Sequence, residues 1–385
     1  MMKMKKLAMT LRIGMSVLAV GSAYADTATA PASTSPTLDQ LLTASGITEQ
    51  GYIEAAYTHY DLSNPSTLNY FDNNPNTFSL KQAALQLSKL PAEGVGGLVN
   101  ITTGSDADYI KSYPYATGSA SNSFDLTQGF LQYAHGIYSV MAGKFVTLAG
   151  AETINSTTNY NVSHSIAFLN AIPFTHTGVR MTVAPSSTFS VILGEDNGWD
   201  QQQAKVKAKT TELGFAFNPT TLVSWTGASY WGQNLPTAPL GTVMPSKAIN
   251  AGPGLLDLVD SVITVKPTTA LSLVLNADDA TQKHAFADGS DASWSAIDFY
   301  ANYVFTPIWQ GTVRLESFDD KNGYKLGYGV GNTRSATLTV GYSVTPALLV
   351  RAEAREDKAP MAAFNKGSSL TDTEQYYALD ALYKF

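Results

Sequence analysis

Arg351, Glu353 and Arg355 stand two residues apart, and Arg314 and Glu316 repeat the spacing. Two is the period of a β-strand, so each set shares one strand face. Charges of both signs on one face either neutralise each other as a ladder or set a field that acts on a polar molecule beside them. Five histidines, His59, His135, His164, His176 and His284, raise hydrolytic chemistry instead. That chemistry needs a strand-borne His-x-Ser pair with an Asn or Asp partner. The residues two positions on are Asp61, Ile137, Ile166, Gly178 and Phe286, so no such pair exists. Ser163-His164-Ser165 puts hydroxyl and imidazole on opposite strand faces, poor geometry for a nucleophile and its base. No catalytic residue is expected.

Other motifs carry less. Asp278-Asp279 and Asp288-Gly289-Ser290-Asp291 are acidic clusters without the full spacing of a calcium loop. Gly327-Tyr328-Gly329-Val330-Gly331 lacks the following helix that a nucleotide site requires. The chain has no cysteine, which removes disulfides and thiolate metal sites. Neither a metal nor a cofactor is expected.

The elements that carry these residues read as strands. In Thr333–Val344, Ala336, Leu338, Val340 and Tyr342 alternate with Ser335, Thr337, Thr339 and Ser343. In Ala347–Glu356, Val350, Ala352 and Ala354 alternate with Arg351, Glu353 and Arg355. Ile308–Phe318 and Ser295–Phe305 repeat the pattern, one face apolar and the other charged or polar. Such segments begin near residues 49, 77, 94, 124, 137, 175, 188, 209, 221, 256, 270, 292, 308, 333, 347 and 374, which predicts about 16 strands. Fourteen or 18 are compatible with the same pattern. Short connections, most opening on a proline (Pro91, Pro185, Pro219, Pro267, Pro307, Pro346), alternate with long ones rich in Asn, Asp, Gly and Ser. Proline cannot donate to a ladder and marks the strand end.

The beginning of the chain reads as an export leader. Lys3, Lys5 and Lys6 precede a mostly apolar run from Leu7 to Gly21, and Ala23-Tyr24-Ala25 offers a cleavage site before Asp26. The predicted organisation is a signal peptide over 1–25, an N-terminal linker over 26–48 with a short helix near Leu38–Ala44, and one β domain over 49–385. Losing residues 1–25 removes four basic and no acidic side chains, leaving 20 basic against 31 acidic. That balance excludes nucleic acid as a partner.

Charged residues make up 14% of the chain, against about 25% in ordinary soluble proteins. Mean hydropathy is -0.05, too low for a bundle of membrane helices. Beyond the leader no run of 18 apolar residues occurs, so only a closed barrel could cross a bilayer. Short turns on one side and long loops on the other fit a transmembrane antiparallel up-and-down β-barrel of the bacterial outer membrane. Alternation then sends Glu54, Lys144, Arg180, Glu212, Asp298, Asn302, Arg314, Glu316, Arg351, Glu353, Arg355 and Asp380 to the lumen. Facing lipid, an Arg or Lys would cost about 2–4 kcal/mol at the midplane. Tyr57, Tyr133, Phe145, Phe217, Phe305, Tyr342, Tyr383 and Phe385 become candidates for the outer aromatic girdles. The last strand ends on Tyr383 and Phe385, the aromatic terminus that the barrel assembly machinery receives.

The sequence resembles the OmpL-like family of β-barrel porins. The resemblance rests on Gly51-Tyr52-Ile53-Glu54-Ala55-Ala56-Tyr57, Asn76-Thr77-Phe78-Ser79-Leu80-Lys81-Gln82-Ala83, Gly143-Lys144-Phe145, Asn159-Tyr160-Asn161-Val162-Ser163-His164-Ser165 and Ile172-Pro173-Phe174-Thr175-His176-Thr177-Gly178-Val179-Arg180, in that order, over residues 38–385. It implies an outer-membrane channel for small hydrophilic solutes or ions, with lipid around it. It implies no particular solute and no oligomeric state. In 16-stranded general porins the third loop enters the pore, so Glu152, Asn155, Asn159, Asn161 and His164 are expected to line a constriction opposite a basic wall. Acidic external loops, Asp278 and Asp288 among them, are expected to favour cations. The same strands would build a non-conducting adhesin or anchor, or a soluble β-sandwich.

Overall fold

The computed structural model describes residues 36–62, 67–72, 76–115, 123–236, 247–327 and 330–385. The expected leader, residues 26–35 of the linker, and Tyr328-Gly329 lie outside the described residues. Helix α1 (Leu38–Ser45) forms where the short helix was expected. Its start is a reciprocal cap: Thr37 N donates to Gln40 Oε1 and Gln40 N to Thr37 Oγ1.

Among the described residues, sixteen strands close a barrel. They are β1 (Thr48–Tyr60), β2 (Thr77–Lys89), β3 (Gly94–Thr103), β4 (Phe124–His135), β5 (Tyr138–Val146), β6 (Thr175–Ser186), β7 (Phe189–Asp196), β8 (Thr210–Thr220), β9 (Val223–Asn234), β10 (Gly254–Val265), β11 (Leu271–Gln282), β12 (Ala292–Thr306), β13 (Trp309–Asp320), β14 (Gly331–Ser343), β15 (Leu348–Lys358) and β18 (Thr373–Lys384). A hairpin of β16 (Phe364–Lys366) and β17 (Ser369–Thr371) interrupts the last long connection. Every barrel pairing is antiparallel. The ends meet as β1 against β18, with Ala55 opposite Ala381 and Tyr57 opposite Leu379.

Period-two patterning dictates which face is which, and burial runs opposite to that of a soluble protein. On β14, Thr333, Ser335, Thr337 and Thr339 are buried, while Leu338 is 53% exposed and Tyr342 37%. Val95 and Leu131 on other strands are about 70% and 69% exposed. A continuous apolar outer wall of this kind suits lipid and would be an aggregation surface in water, which disposes of the soluble sandwich. No described helix is long and apolar enough to cross a membrane.

Two expectations need correction. Pro185 and Pro219 do not end their strands. Each lies inside one, β6 and β8, where the register slips between Val183 and Ser186 and between Phe217 and Thr220. A bulge accommodates the missing N–H next to the turn. Phe145 is no girdle residue: it is 2% exposed, faces inward opposite His176, and lies under the Arg180 guanidinium at 4.1 Å.

At the long-loop end the interior is apolar. Tyr230, Leu256, Leu258, Trp294 and Phe318 point inward from β9, β10, β12 and β13. Loop residues Leu68, Phe71, Ile110, Ile166, Phe168, Ile172 and Phe174 pack against them in one cluster. This inner core supports the third loop from above.

Candidate functional site: the third loop inside the barrel

The loop from Thr147 to Phe174 begins at a wall and crosses the lumen. Its root is fixed by backbone donors: Leu148 N to Tyr230 Oη (2.8 Å), Gly150 N to Asp260 Oδ2 (3.1 Å) and Ala151 N to Asn276 Oδ1 (2.7 Å). Gly150 has φ +94°, and a Cβ there would lie 2.5 Å from Ile172 Cδ1, so the sharp entry requires glycine.

Beyond the root, the arginine ladder holds the loop. Arg314 of β13 donates from Nη1 to Glu152 Oε1 (2.8 Å) and to the Ser163 carbonyl (2.6 Å), and from Nε to Glu316 Oε1 (2.7 Å). Arg355 of β15 donates to the His164 carbonyl (2.7 Å) and to Asp357 (2.7 Å). Arg351 donates to the carbonyls of Asn159 (3.1 Å) and Asn161 (2.9 Å), to Asp380 Oδ2 (2.6 Å) and to Glu54 Oε1 (3.2 Å). The intervening glutamates take loop amides. Glu353 accepts from Val162 N (2.7 Å) and Ser163 N (2.9 Å), and Glu316 from Ile166 N (2.6 Å). The ladder thus presents donors and acceptors in the order that a stretch of loop backbone needs, and leaves few polar groups unsatisfied.

Glu152 is the loop's own contribution. It accepts from Tyr300 Oη (3.0 Å) and Ser165 N (2.9 Å), and lies 3.1 Å from His164 Nδ1. Burial raises its pKa, but the adjacent Arg314, then His164, more than reverse this and bring it down to about 2. Asn161 Nδ2 donates to Thr339 (2.6 Å). Asn155 caps the turn Ser156–Thr158, and Asn159 clamps Thr153 through both amide atoms.

The expected arrangement of opposite charges across open water is therefore not what forms. Arg314, Arg351 and Arg355 are 0–2% exposed, and Glu152 sits on Arg314 rather than across from it. The reason is the loop's full insertion: its backbone reaches the basic wall and occupies the guanidinium donors. Arg180 forms a separate bidentate pair with Glu212 (2.6 Å for both bonds). Lys144 is buried against Asp125 and the Leu126 carbonyl. Asn302 accepts from Thr312 (2.7 Å), and Asp298 is buried on the inner face of β12 opposite Glu316. At the C-terminus, Phe385 exchanges backbone bonds with Gly51 (2.9 and 3.0 Å) and Tyr383 is exposed on the outer face.

Residues that pattern reading did not single out also hold loops. Lys81 of β2 pairs with Asp72 (2.6 Å) and Asp106 (3.2 Å), tying the first two long loops to the wall. Tyr230, Asp260, Asn276 and Tyr300 were legible only as inward positions; nothing in their spacing names the loop as their partner.

A closed sixteen-strand barrel, apolar outside, with its third loop folded into the lumen, has the architecture of an outer-membrane porin. Over residues 46–385 the sequence matches the family described as "Putative beta-barrel porin-2, OmpL-like", and the chain belongs to it. It is an outer-membrane porin. Similar solved structures include the outer membrane channel DcaP of Acinetobacter baumannii (TM-score 0.60, 12% identity, covering 88% of this chain and 97% of that one). The anion-selective porin from Comamonas acidovorans is also similar (0.59, 10%, 88% and 99%). So is OprB of Pseudomonas putida (0.56, 13%, 90% and 96%). At these identities the likeness is one of fold. No curated protein matches the sequence.

Proposed function

We propose that this porin passes small hydrophilic solutes along the side of the lumen that the third loop leaves open. The observation that carries the reading is an asymmetry of exposure. Inward residues of the wall from β9 to β15 are buried beneath the loop, whereas inward Gln86, Asn100, Gln128, Gln132 and Met141 on β2 to β5 remain partly exposed. The exposed tip residues Thr153 and Thr158 give the loop a polar edge. In this reading Glu54, Glu316, Arg351 and their neighbours set the passage indirectly, by fixing the loop.

The passage favours cations mildly. Asp72, Asp106, Asp288 and Asp291 are paired with lysines, which weakens the external acidic field, but acidic side chains still outnumber basic ones, 31 to 24 over the whole sequence. Hydrolysis is not part of the function: Ser163 Oγ accepts from Arg314, and Ser165 Oγ caps Phe168 N. Export by a cleaved leader over 1–25 and delivery by the assembly machinery through Phe385 complete the reading. Planar-bilayer recording in a KCl gradient tests it: small ohmic conductance with a cation-directed reversal potential is expected. An anion-directed potential would overturn the selectivity, and a silent bilayer would favour an anchor or adhesin.

A further inference from the structure

A row of carboxamides crosses four neighbouring strands on the open side of the lumen. Gln50 of β1 stands opposite Gln86 of β2, Gln86 opposite Asn100 of β3, and Asn100 opposite Gln128 of β4. Their chain neighbours Leu85, Leu87 and Val99 are 40–48% exposed on the lipid face, so alternation turns the amides inward. All four remain at least partly accessible. Adjacent members are about 5 Å apart, the separation of cross-strand pairs. The row is inclined. It starts near the short-turn end of β1 and rises past the middle of β4, where Val146 N, at the root of the third loop, donates to Gln128 Oε1 (3.3 Å).

These amides are only loosely engaged with one another. Gln86 Nε2 reaches Gln50 Oε1 at 3.4 Å, and Asn100 Nδ2 reaches the Leu85 carbonyl at 3.5 Å, both at the weak end of hydrogen-bond geometry. A carboxamide has two N–H donors and two acceptor lone pairs, so most of the row's capacity faces the lumen. Phe130 shares the inner face of β4 with Gln128 and is partly exposed. The inward charged side chains on β1 to β5, Glu54, Lys81, Asp125 and Lys144, are buried in ion pairs closer to the loop end; Glu49 and Lys89, near the short-turn rim, share the outward parity of Leu87.

We propose that Gln50, Gln86, Asn100 and Gln128, with Phe130 as a stacking face, form a binding track for neutral saccharides. Sugar hydroxyls both donate and accept, at ring spacings that match successive amides, and the C–H face of a pyranose fits an aromatic ring. Bare ions gain little from uncharged groups, and a zwitterionic peptide would find no partner here for its terminal charges. The track deepens the channel reading and rests on it.

The test uses the purified full-length protein in planar bilayers, with maltotriose added and the fractional block of ionic current recorded. Triglycine and a polyethylene glycol of similar mass serve as comparators. Saturable block by maltotriose, well above that by either comparator, is expected. In Q86A/N100A/Q128A the blocking affinity should fall about tenfold, taking roughly 0.5 kcal/mol for each lost hydrogen bond. F130A, which removes no amide, should weaken the block as well. Heat-modifiable migration on gels confirms that each variant is folded. Equal or stronger block by triglycine, or a full block retained by both variants, would overturn the track. Current without any maltotriose block overturns the track alone; absence of current overturns the channel and the track together.

Discussion

Arg314 and Glu152 are 162 residues apart in the chain and 2.8 Å apart in the fold, joining a mid-barrel strand to the loop that crosses the lumen. Both are buried. The pair is the point at which wall charge becomes loop position.

Removing Arg314 leaves Glu152 and Glu316 buried side by side without their shared cation. Losing one partner of a buried pair costs about 3–5 kcal/mol, enough to release the loop. Arg314→Ala is expected to show larger and noisier single-channel conductance than the wild type, and to lose its compact gel form at lower temperature. Wild-type values for both would assign the loop's position to its other anchors.

Arg351 and Arg355 hold the tip and the middle of the loop through backbone carbonyls. Arg351→Ala combined with Arg355→Ala should raise conductance and move selectivity towards cations, since two positive charges leave and Glu54, Glu353 and Asp380 stay. Unchanged conductance and selectivity would make the pair a feature of the wall alone.

Acid should act through Glu152. Its pKa is about 2 in the docked loop against 4.5 when free. A lowered carboxyl pKa contributes stability that is fully present above the free value and is lost as pH falls through the docked one. Loop docking should therefore weaken between pH 4.5 and about pH 2, with conductance rising over that window. Glu152→Gln should remove this component of the pH response; an identical acid response in that variant would place the titration elsewhere.

Phe385 closes the seam. An added Cβ at Gly51 would lie 2.2 Å from its ring, so the ring lies directly over the first strand. Deleting Phe385 is expected to lower the amount of heat-modifiable protein in the outer membrane several-fold, while precursor cleavage continues. Normal membrane levels of the deletion would separate the C-terminal aromatic from assembly.

Strand positions were legible because period two is a local signal. Expected starts near 77, 94, 124, 175 and 292 coincide with β2, β3, β4, β6 and β12, and the others fall within a few residues. Inward orientation of Arg314, Arg351 and Glu353 followed from the same alternation. Phe145 was misread because Gly143 (φ +139°) breaks the regular backbone just before it; a side chain at Gly143 would meet the Gly129 carbonyl at 2.2 Å. Of the arginines' partners, Glu316 beside Arg314 was legible from the two-residue spacing, but the loop carbonyls were not. Parity says that a side chain points inward, but not what arrives from a distant loop to meet it. The apolar inner face of Leu256 and Leu258 was hidden for a related reason: the run Gly254-Leu255-Leu256-Asp257-Leu258-Val259 has little alternation to read.

The loop's anchors also impose an order of events. The third loop leaves β5, yet Asp260, Asn276, Arg314 and Glu353 come between 110 and 191 residues after the loop residues they bind. Pairing of β5 with β6 alone brings none of those anchors to the loop, and contacts so remote in sequence are slow to form. The wall must be largely complete before the loop can settle, so a partly inserted barrel has a wider interior than the finished one.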